Sequence, residues 1–146
     1  MTDLEKAKSL LTRDLTCVLV KGEEVITSDK SGIAPIMELI ESGKDLNGFS
    51  VADRIVGKAA AMLFKKVGIS EVFTVVISEP AKEYLKKNGI NFKFSISTNY
   101  IMNRTETGMC PMEETVKTIE NFEDAYIALK EKLKELKNEK TDGGKR

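Results

Sequence analysis

The chain has 146 residues, the usual size of a single domain, and it can bury one core without disulfides or a structural metal. Its 23 basic and 23 acidic residues cancel, so no net field attracts nucleic acid or an acidic membrane, and neither partner is expected. Because the sequence contains no histidine, Ser-His-Asp and Cys-His catalysis are excluded.

The composition also predicts a compartment and a working temperature. The N-terminal segment lacks the basic and apolar regions of a secretory signal, and the two cysteines, Cys17 and Cys110, are too few for a secreted disulfide scaffold. We therefore expect a cytoplasmic protein. The absence of Gln and Trp, with 32% charged residues, is typical of thermophilic proteins.

The N-terminal part of the chain predicts a helix followed by a β-hairpin. Leu4, Ala7 and Leu11 recur at helical spacing, so the helix should end near Arg13. An apolar strand over residues 15–20, a turn at Lys21-Gly22-Glu23 and a returning strand then form the hairpin.

Two consecutive helices are predicted next. The first covers Ile33 to Ile40 and stops at Ser42-Gly43. The second should begin at Ser50, because Ser50-Val51-Ala52-Asp53 has the [ST]-x-x-[DE] pattern of a capping box, and should continue to Gly68.

The C-terminal half predicts a βαβ unit and a last helix. A β-branched strand runs from Glu71 to Ile77, Pro80 opens a helix, and residues 91–97 alternate like a half-exposed strand parallel to the first. A helix over residues 122–136 with a leucine stripe follows. Residues 1–137 should thus form one α/β domain, and residues 138–146 a disordered polar tail.

This order of elements resembles the cytidine deaminase fold, in which two helix starts carry the zinc ligands. Ser50-Val51-Ala52-Asp53-Arg54 is similar to the first helix start, and Ser78-Glu79-Pro80-Ala81-Lys82-Glu83-Tyr84 is similar to the second. The matched ligand positions hold Val51, Ala81 and Tyr84, so no zinc ligand is retained. We expect no metal and no other cofactor.

Four segments closely resemble an uncharacterised bacterial family of deaminase-fold proteins, a domain of unknown function. They are Asp14-Leu15-Thr16-Cys17, Ser50 to Ala61, Val76-Ile77-Ser78-Glu79-Pro80, and Asn103 to Glu114. The resemblance implies a three-layer α/β/α fold whose mixed sheet combines the N-terminal hairpin with the parallel βαβ unit. It leaves the activity open, including whether the protein is an enzyme.

The segment from Asn103 to Glu114 is the first candidate site. It leads into a helix whose first residue should be Pro111, with Cys110 as N-cap. Backbone N–H groups there could hold a phosphate or carboxylate, and the alternative is a capped loop in which Arg104 pairs with Glu106 or Glu113. The candidate ligand-binding residues of this loop are Asn103, Arg104, Thr105, Thr107 and Gly108.

A second candidate site lies where the predicted parallel strands end, because open α/β sheets bind ligands outside the carboxyl ends of their strands. Tyr100 could stack on a flat ring, and Lys58, which could also be simply solvated, could hold an anion. The candidates are Lys58, Ser78, Glu79, Thr98, Asn99 and Tyr100.

Two residues are candidates for catalysis. Cys110 at a helix start could be a nucleophilic thiol or only a capping residue. Asp53 occupies the position matched to the deaminase Glu, although a capping role also explains it. Cys17, by contrast, lies on an apolar strand and should be buried in the core.

Three functional hypotheses follow. The protein could bind a small anionic, nucleotide-like ligand or metabolite in the retained cleft. It could instead be a metal-independent enzyme that uses Cys110 as nucleophile or redox thiol. Or it could be an interaction module whose last helix builds a homodimer.

Overall fold

The fold is built on a five-stranded mixed sheet. The structure is a computed structural model that describes residues 1–144, with side chains as far as Glu139. The strand order is β2-β1-β3-β4-β5; β1 pairs antiparallel with β2 and β3, and β3, β4 and β5 are parallel. The strands are β1 (Cys17–Lys21), β2 (Glu24–Ser28), β3 (Ser50–Val56), β4 (Glu71–Ser78) and β5 (Asn91–Thr98).

The described residues form six helices around this sheet. None of these helices is both long enough and apolar enough to cross a membrane. They are α1 (Asp3–Leu10), α2 (Ala34–Glu41), α3 (Lys58–Val67), α4 (Glu79–Lys87), α5 (Pro111–Val116) and α6 (Phe122–Gly144).

The helices lie on both faces of the sheet in unequal number. Helix α1 packs alone on one face, where Leu4 and Ala7 share a core with Val18, Val20 and other strand residues. The other five helices contribute to the larger core on the opposite face. This three-layer α/β/α arrangement, with its hairpin and parallel β-α-β units, confirms the predicted fold class. Cys17 is 2% exposed, so the prediction of a buried core cysteine is also confirmed.

The predicted helix beginning at Ser50 is wrong in its first part. Residues 50–56 form strand β3, which pairs with β1 on one side and β4 on the other, and the helix begins only at Lys58. The capping box at Ser50 and Asp53 therefore does not exist. Local spacing favoured a helix, but the backbone groups of this β-branched segment are satisfied by two neighbouring strands, and Gly57 separates strand from helix.

The end of the chain also differs from the prediction. Helix α6 continues to Gly144, so residues 138–144 are helical where a disordered tail was predicted. Residues 145–146 of the predicted tail lie outside the described residues.

Candidate functional site

A cleft of about 620 Å³ opens beyond the carboxyl ends of β3, β4 and β5. Its walls come from the start of α3, one side of α4, and the segment that runs from the end of β5 through α5 to Glu120. The parallel arrangement brings these connections to one edge of the sheet, as expected for an open α/β fold. A cleft of this size can hold a small metabolite.

Helix α4 forms the longest wall of the cleft. Pro80, Glu83, Tyr84 and Lys87 recur at three- and four-residue spacing, so they share one side of the helix. From Pro80 to Lys87 this wall is about 10 Å long, at 1.5 Å per helical residue. Tyr84 is 5% exposed, and its burial, together with the nearby negative charge of Glu120, raises its pKa.

The side chain of Glu113 caps the N-terminus of helix α3. Its Oε1 accepts the N–H of Lys58 at 2.7 Å and its Oε2 accepts the N–H of Ala59 at 3.0 Å. Gly57 makes this approach possible, because a Cβ there would lie 2.3 Å from Glu113 Oε1. The positive end of α3 is thus occupied by a carboxylate of the protein itself, in the role of an N-terminal cap.

Lys58 crosses the floor of the cleft and is 8% exposed. Its Nζ lies 3.1 Å from Glu120 Oε1 and 3.4 Å from the carbonyl oxygen of Lys117. These contacts hold its ammonium group within the protein, close to Glu113. Lys58 is therefore a buried lysine that pairs with an exposed glutamate, and not the solvated residue that was the alternative interpretation.

Two lysines of the cleft remain available to a ligand. The ammonium groups of Lys87 and Lys117 have no ion-pair or hydrogen-bond partner in the part of the chain that the structure describes. Tyr100, 40% exposed, adds an aromatic ring next to Asn99. The cleft therefore combines cationic groups with an accessible flat surface.

Only three of the predicted ligand-binding residues line this cleft: Lys58, Asn99 and Tyr100. Ser78 is buried, and its hydroxyl accepts the N–H of Ala81 at the start of α4. Glu79 pairs with Lys82 at 2.9 Å and accepts the Ser97 hydroxyl, and both contacts lower its pKa. The hydroxyl of Thr98 donates to the carbonyl of Tyr100. These contacts give Ser78, Glu79 and Thr98 structural roles.

The loop that carries the other candidates does not line the cleft. Asn103 Oδ1 accepts hydrogen bonds from the hydroxyl group of Thr105 and from the backbone N–H of Thr107. These three residues therefore bond to one another within the loop. Arg104 donates to the Ser31 hydroxyl at 2.8 Å, not to Glu106 or Glu113 as the alternative had it. Gly108 accepts the N–H of Asn103. The predicted anion site in this loop thus has its polar groups bonded within the protein.

Asp53 is buried in the sheet and does not line this cleft. Its Oδ1 accepts the N–H of Arg54 at 2.8 Å, and its register partner on β1 is Cys17. Burial raises the pKa of Asp53 to about 7, although backbone hydrogen bonds oppose this shift. Burial and the Asp53 charge raise the pKa of the Cys17 thiol. The carboxyl group is therefore a core group and not a helix cap.

Cys110 is the residue before the first helical residue of α5, Pro111, as the sequence predicted. Its side chain makes no capping bond, packs against the core and is absent from the cleft lining. Among the described residues no group of three or more His, Cys, Asp or Glu side chains is placed to hold a metal ion. A chemical role for the Cys110 thiol and the absence of a bound metal both stay predictions.

Several cleft residues were missed by the sequence reasoning. The α4 wall carried a signal, since Pro80, Tyr84 and Lys87 have the spacing of one helix face after a parallel strand. Glu113 carried none, because its partners at the start of α3 lie 54 and 55 residues away in sequence. The remaining missed residues are Glu83, Met109, Lys117 and Glu120.

The family of the protein follows from a sequence comparison. A family model described as a domain of unknown function, DUF1893, matches residues 5–133. The chain belongs to the DUF1893 family. This confirms the resemblance to an uncharacterised family, and a search of curated proteins finds no significant match to this DUF1893 chain.

A solved structure agrees with the assignment to DUF1893. The crystal structure of a DUF1893 family protein from Thermotoga maritima is similar at a TM-score of 0.81 and 27% sequence identity, covering 90% of this chain and 91% of that one. A dCMP deaminase from the cyanophage S-TIM5 in apo form is weakly similar, at a TM-score of 0.42 and 10% identity over 66% of this chain and 94% of that one.

Proposed function

We propose that the cleft binds a small anionic ligand that carries a flat ring, of the size and shape of a nucleotide. One observation carries the proposal: a single cleft of about 620 Å³ holds an exposed tyrosine ring and two ammonium groups that have no partner among the described residues. Because Lys87 and Lys117 have no carboxylate partner in the described chain, an anion can bind them without breaking an existing ion pair.

The dimensions of the cleft support a ligand with two ends. Tyr100 and Asn99 follow β5, whereas Lys87 is the last residue of α4, about 10 Å along that helix from Pro80. A ring stacked on Tyr100 and an anionic group near Lys87 and Lys117 would span this length. The amide of Asn99 can both donate to and accept from a polar ring.

Ligand binding is tested by the thermal unfolding of the protein with AMP, CMP, ribose 5-phosphate and adenosine, each at millimolar concentration. At ten-fold excess over Kd a ligand adds about 1.4 kcal/mol to the free energy of unfolding. We expect stabilisation by the nucleotides that exceeds the effect of adenosine, because adenosine lacks the anion. Absence of stabilisation by all four compounds would contradict the proposal.

A matched pair of variants locates the site. Lys117→Met removes a cleft ammonium group and should weaken nucleotide binding several-fold. Lys93→Met removes an exposed lysine of β5 that does not line the cleft, and should bind as the unaltered protein does. Equal binding by both variants would place the ligand elsewhere.

The other two functional hypotheses receive no support from the cleft. Cys110 does not line it, so a role of this thiol as nucleophile or redox group remains to be tested by its alkylation rate. The leucine stripe of α6 lies against this chain's own core, where Leu129 is fully buried and Leu133 and Leu136 are half-buried. A homodimer would therefore need a different surface.

A further inference from the structure

Glu113 is a cleft residue that the proposed ligand contacts do not use. The residue is 8% exposed and lines the cleft, and its carboxyl group is fixed by two N–H groups at the start of α3. Each oxygen accepts one of these bonds, so each retains acceptor capacity. A ligand in the cleft therefore meets a buried acidic group that the protein holds in place.

The sequence spacing sets Glu113 beside the proposed anion site. Lys117 follows it by four residues and has helical backbone angles, so the two side chains are neighbours on the same side of the helix, about 5–6 Å apart at Cβ. An anion bound to Lys117 would lie close to the Glu113 carboxyl group. Because Glu113 is buried, solvent screens its carboxylate less than it would screen an exposed one, and a nearby anion therefore repels it.

The groups around Glu113 leave its protonation state open to change. Burial raises the pKa of Glu113, while the N–H groups of Ala59 and Lys58 and the charge of Lys58 lower it. The other titratable groups that line the cleft are Glu83, Tyr84 and Lys87 from α4, Tyr100 after β5, and Lys117 and Glu120 after α5. An additional anion adds to the forces that favour the protonated form.

We propose that Glu113 couples ligand binding to proton uptake and selects an oxyanion as the ligand group beside Lys117. The proposal rests on the proposed function of the cleft. One proton passes from solvent to a Glu113 oxygen as the ligand enters, and the new O–H donates a hydrogen bond to an anionic oxygen of the ligand. Each Glu113 oxygen keeps a lone pair for its own α3 N–H group, from Lys58 or from Ala59. A cationic ligand group would instead favour the carboxylate form of Glu113, and this hydrogen bond would not form.

The experiment is calorimetric titration with adenosine 5′-sulfate, whose sulfate ester does not titrate, unlike a phosphate ester with its pKa near 6. Titrations in two buffers of different ionisation enthalpy give the number of protons taken up. At a pH above the pKa of Glu113 in the ligand-free protein, we expect the uptake of nearly one proton per bound ligand. In that range the affinity should fall by up to tenfold for each unit of increase in pH. Binding without proton uptake between about pH 5 and pH 8 would overturn this inference and leave the proposed function intact. Absence of binding would overturn both.

Two matched variants assign the proton. Glu113→Gln carries a permanent donor in place of the protonated acid, so it should bind the sulfate ester with no proton uptake and at least as tightly as the unaltered protein at about pH 8. Glu83→Gln changes an exposed acid of the same cleft and should keep the full uptake. Proton uptake that persists in Glu113→Gln, or disappears in Glu83→Gln, would contradict the assignment.

Discussion

Two acidic residues are buried in the part of the chain that the structure describes, Asp53 in the sheet and Glu113 in the cleft. Each is 8% exposed, but their carboxyl groups have different surroundings. Asp53 lies opposite Cys17 on a neighbouring strand and is bonded by backbone N–H groups next to it in sequence. The Glu113 carboxylate accepts hydrogen bonds from two N–H groups at the start of α3, which is distant in sequence, and it lies near the Lys58 ammonium group.

This difference shows that burial alone does not determine what a carboxyl group does. Burial raises the pKa of both groups, but only Glu113 has a cation among the groups that oppose the rise. Asp53 is enclosed in the sheet, so its ionisation acts on folding. Glu113 also lines a cleft, so its ionisation can respond to a ligand. Three predictions test this contrast.

The largest effect is expected from Asp53→Asn on the pH dependence of stability. The pKa of Asp53 is about 7 in the folded protein, against 3.8 as its ordinary value. Below about pH 4 the group is protonated in both states, and as the pH rises the unfolded state ionises first, so stability is lost until the pH passes about 7. The pKa difference corresponds to about 4 kcal/mol.

The measurement is urea unfolding between about pH 4 and pH 8, compared for the unaltered protein and the variant. The Asn variant should lose less stability across this range, by up to about 4 kcal/mol. Asp45→Asn, an exposed control, should retain the slope of the unaltered protein. Parallel pH curves for Asp53→Asn and the unaltered protein would show that Asp53 ionises normally.

The second prediction concerns the packing that holds Glu113. In Gly57→Ala the new Cβ would lie within 2.6 Å of three carboxyl atoms of Glu113, so the carboxyl group must leave the start of α3. Overpacking and two weakened hydrogen bonds should reduce the free energy of unfolding by about 2 kcal/mol. Gly108→Ala is the control, because a Cβ there meets no atom within 4 Å. Equal chemical-denaturation midpoints for the two variants would contradict the proposed fit.

The smallest effect should come from Lys58→Met. Loss of the ammonium group near Glu113 should raise the pKa of Glu113 by up to about one unit and leave that of Asp53 unchanged. Carbon-13 NMR titration of the side-chain carboxyl groups measures both values. Lys65→Met, on the same helix but away from the cleft lining, should change neither. A shift of Asp53 instead of Glu113 would reverse the proposed contrast.

Local sequence signals predicted much of the fold. The hairpin formed because its turn residues separate two β-branched segments. Pro80 lies in the first turn of α4 and Pro111 begins α5, because proline lacks the N–H that a first helical turn leaves unbonded. The segment at Ser50 misled the prediction because its capping pattern is also local. Pairing with β1 and β4 outweighed that pattern, and such pairing has no signal within the segment itself.

Part of the cleft could also be predicted, because the carboxyl ends of parallel strands mark one edge of the sheet. This rule placed Asn99 and Tyr100 correctly beside the cleft. It could not separate them from Ser78 and Thr98, whose hydroxyl groups are used by hydrogen bonds within the protein. That distinction depends on side-chain directions, which a single sequence does not contain.

The sequence by itself determined the fold class, the prolines in the first turns of α4 and α5, and the absence of imidazole chemistry, since these depend on residue type and short-range spacing. Only the tertiary structure decided that Asp53 is a buried sheet residue and that Glu113 caps α3 from 55 residues away. Both outcomes depend on which distant backbone groups come together when the core forms. The free energy of burying a carboxyl group is set by those partners and not by its neighbours in sequence.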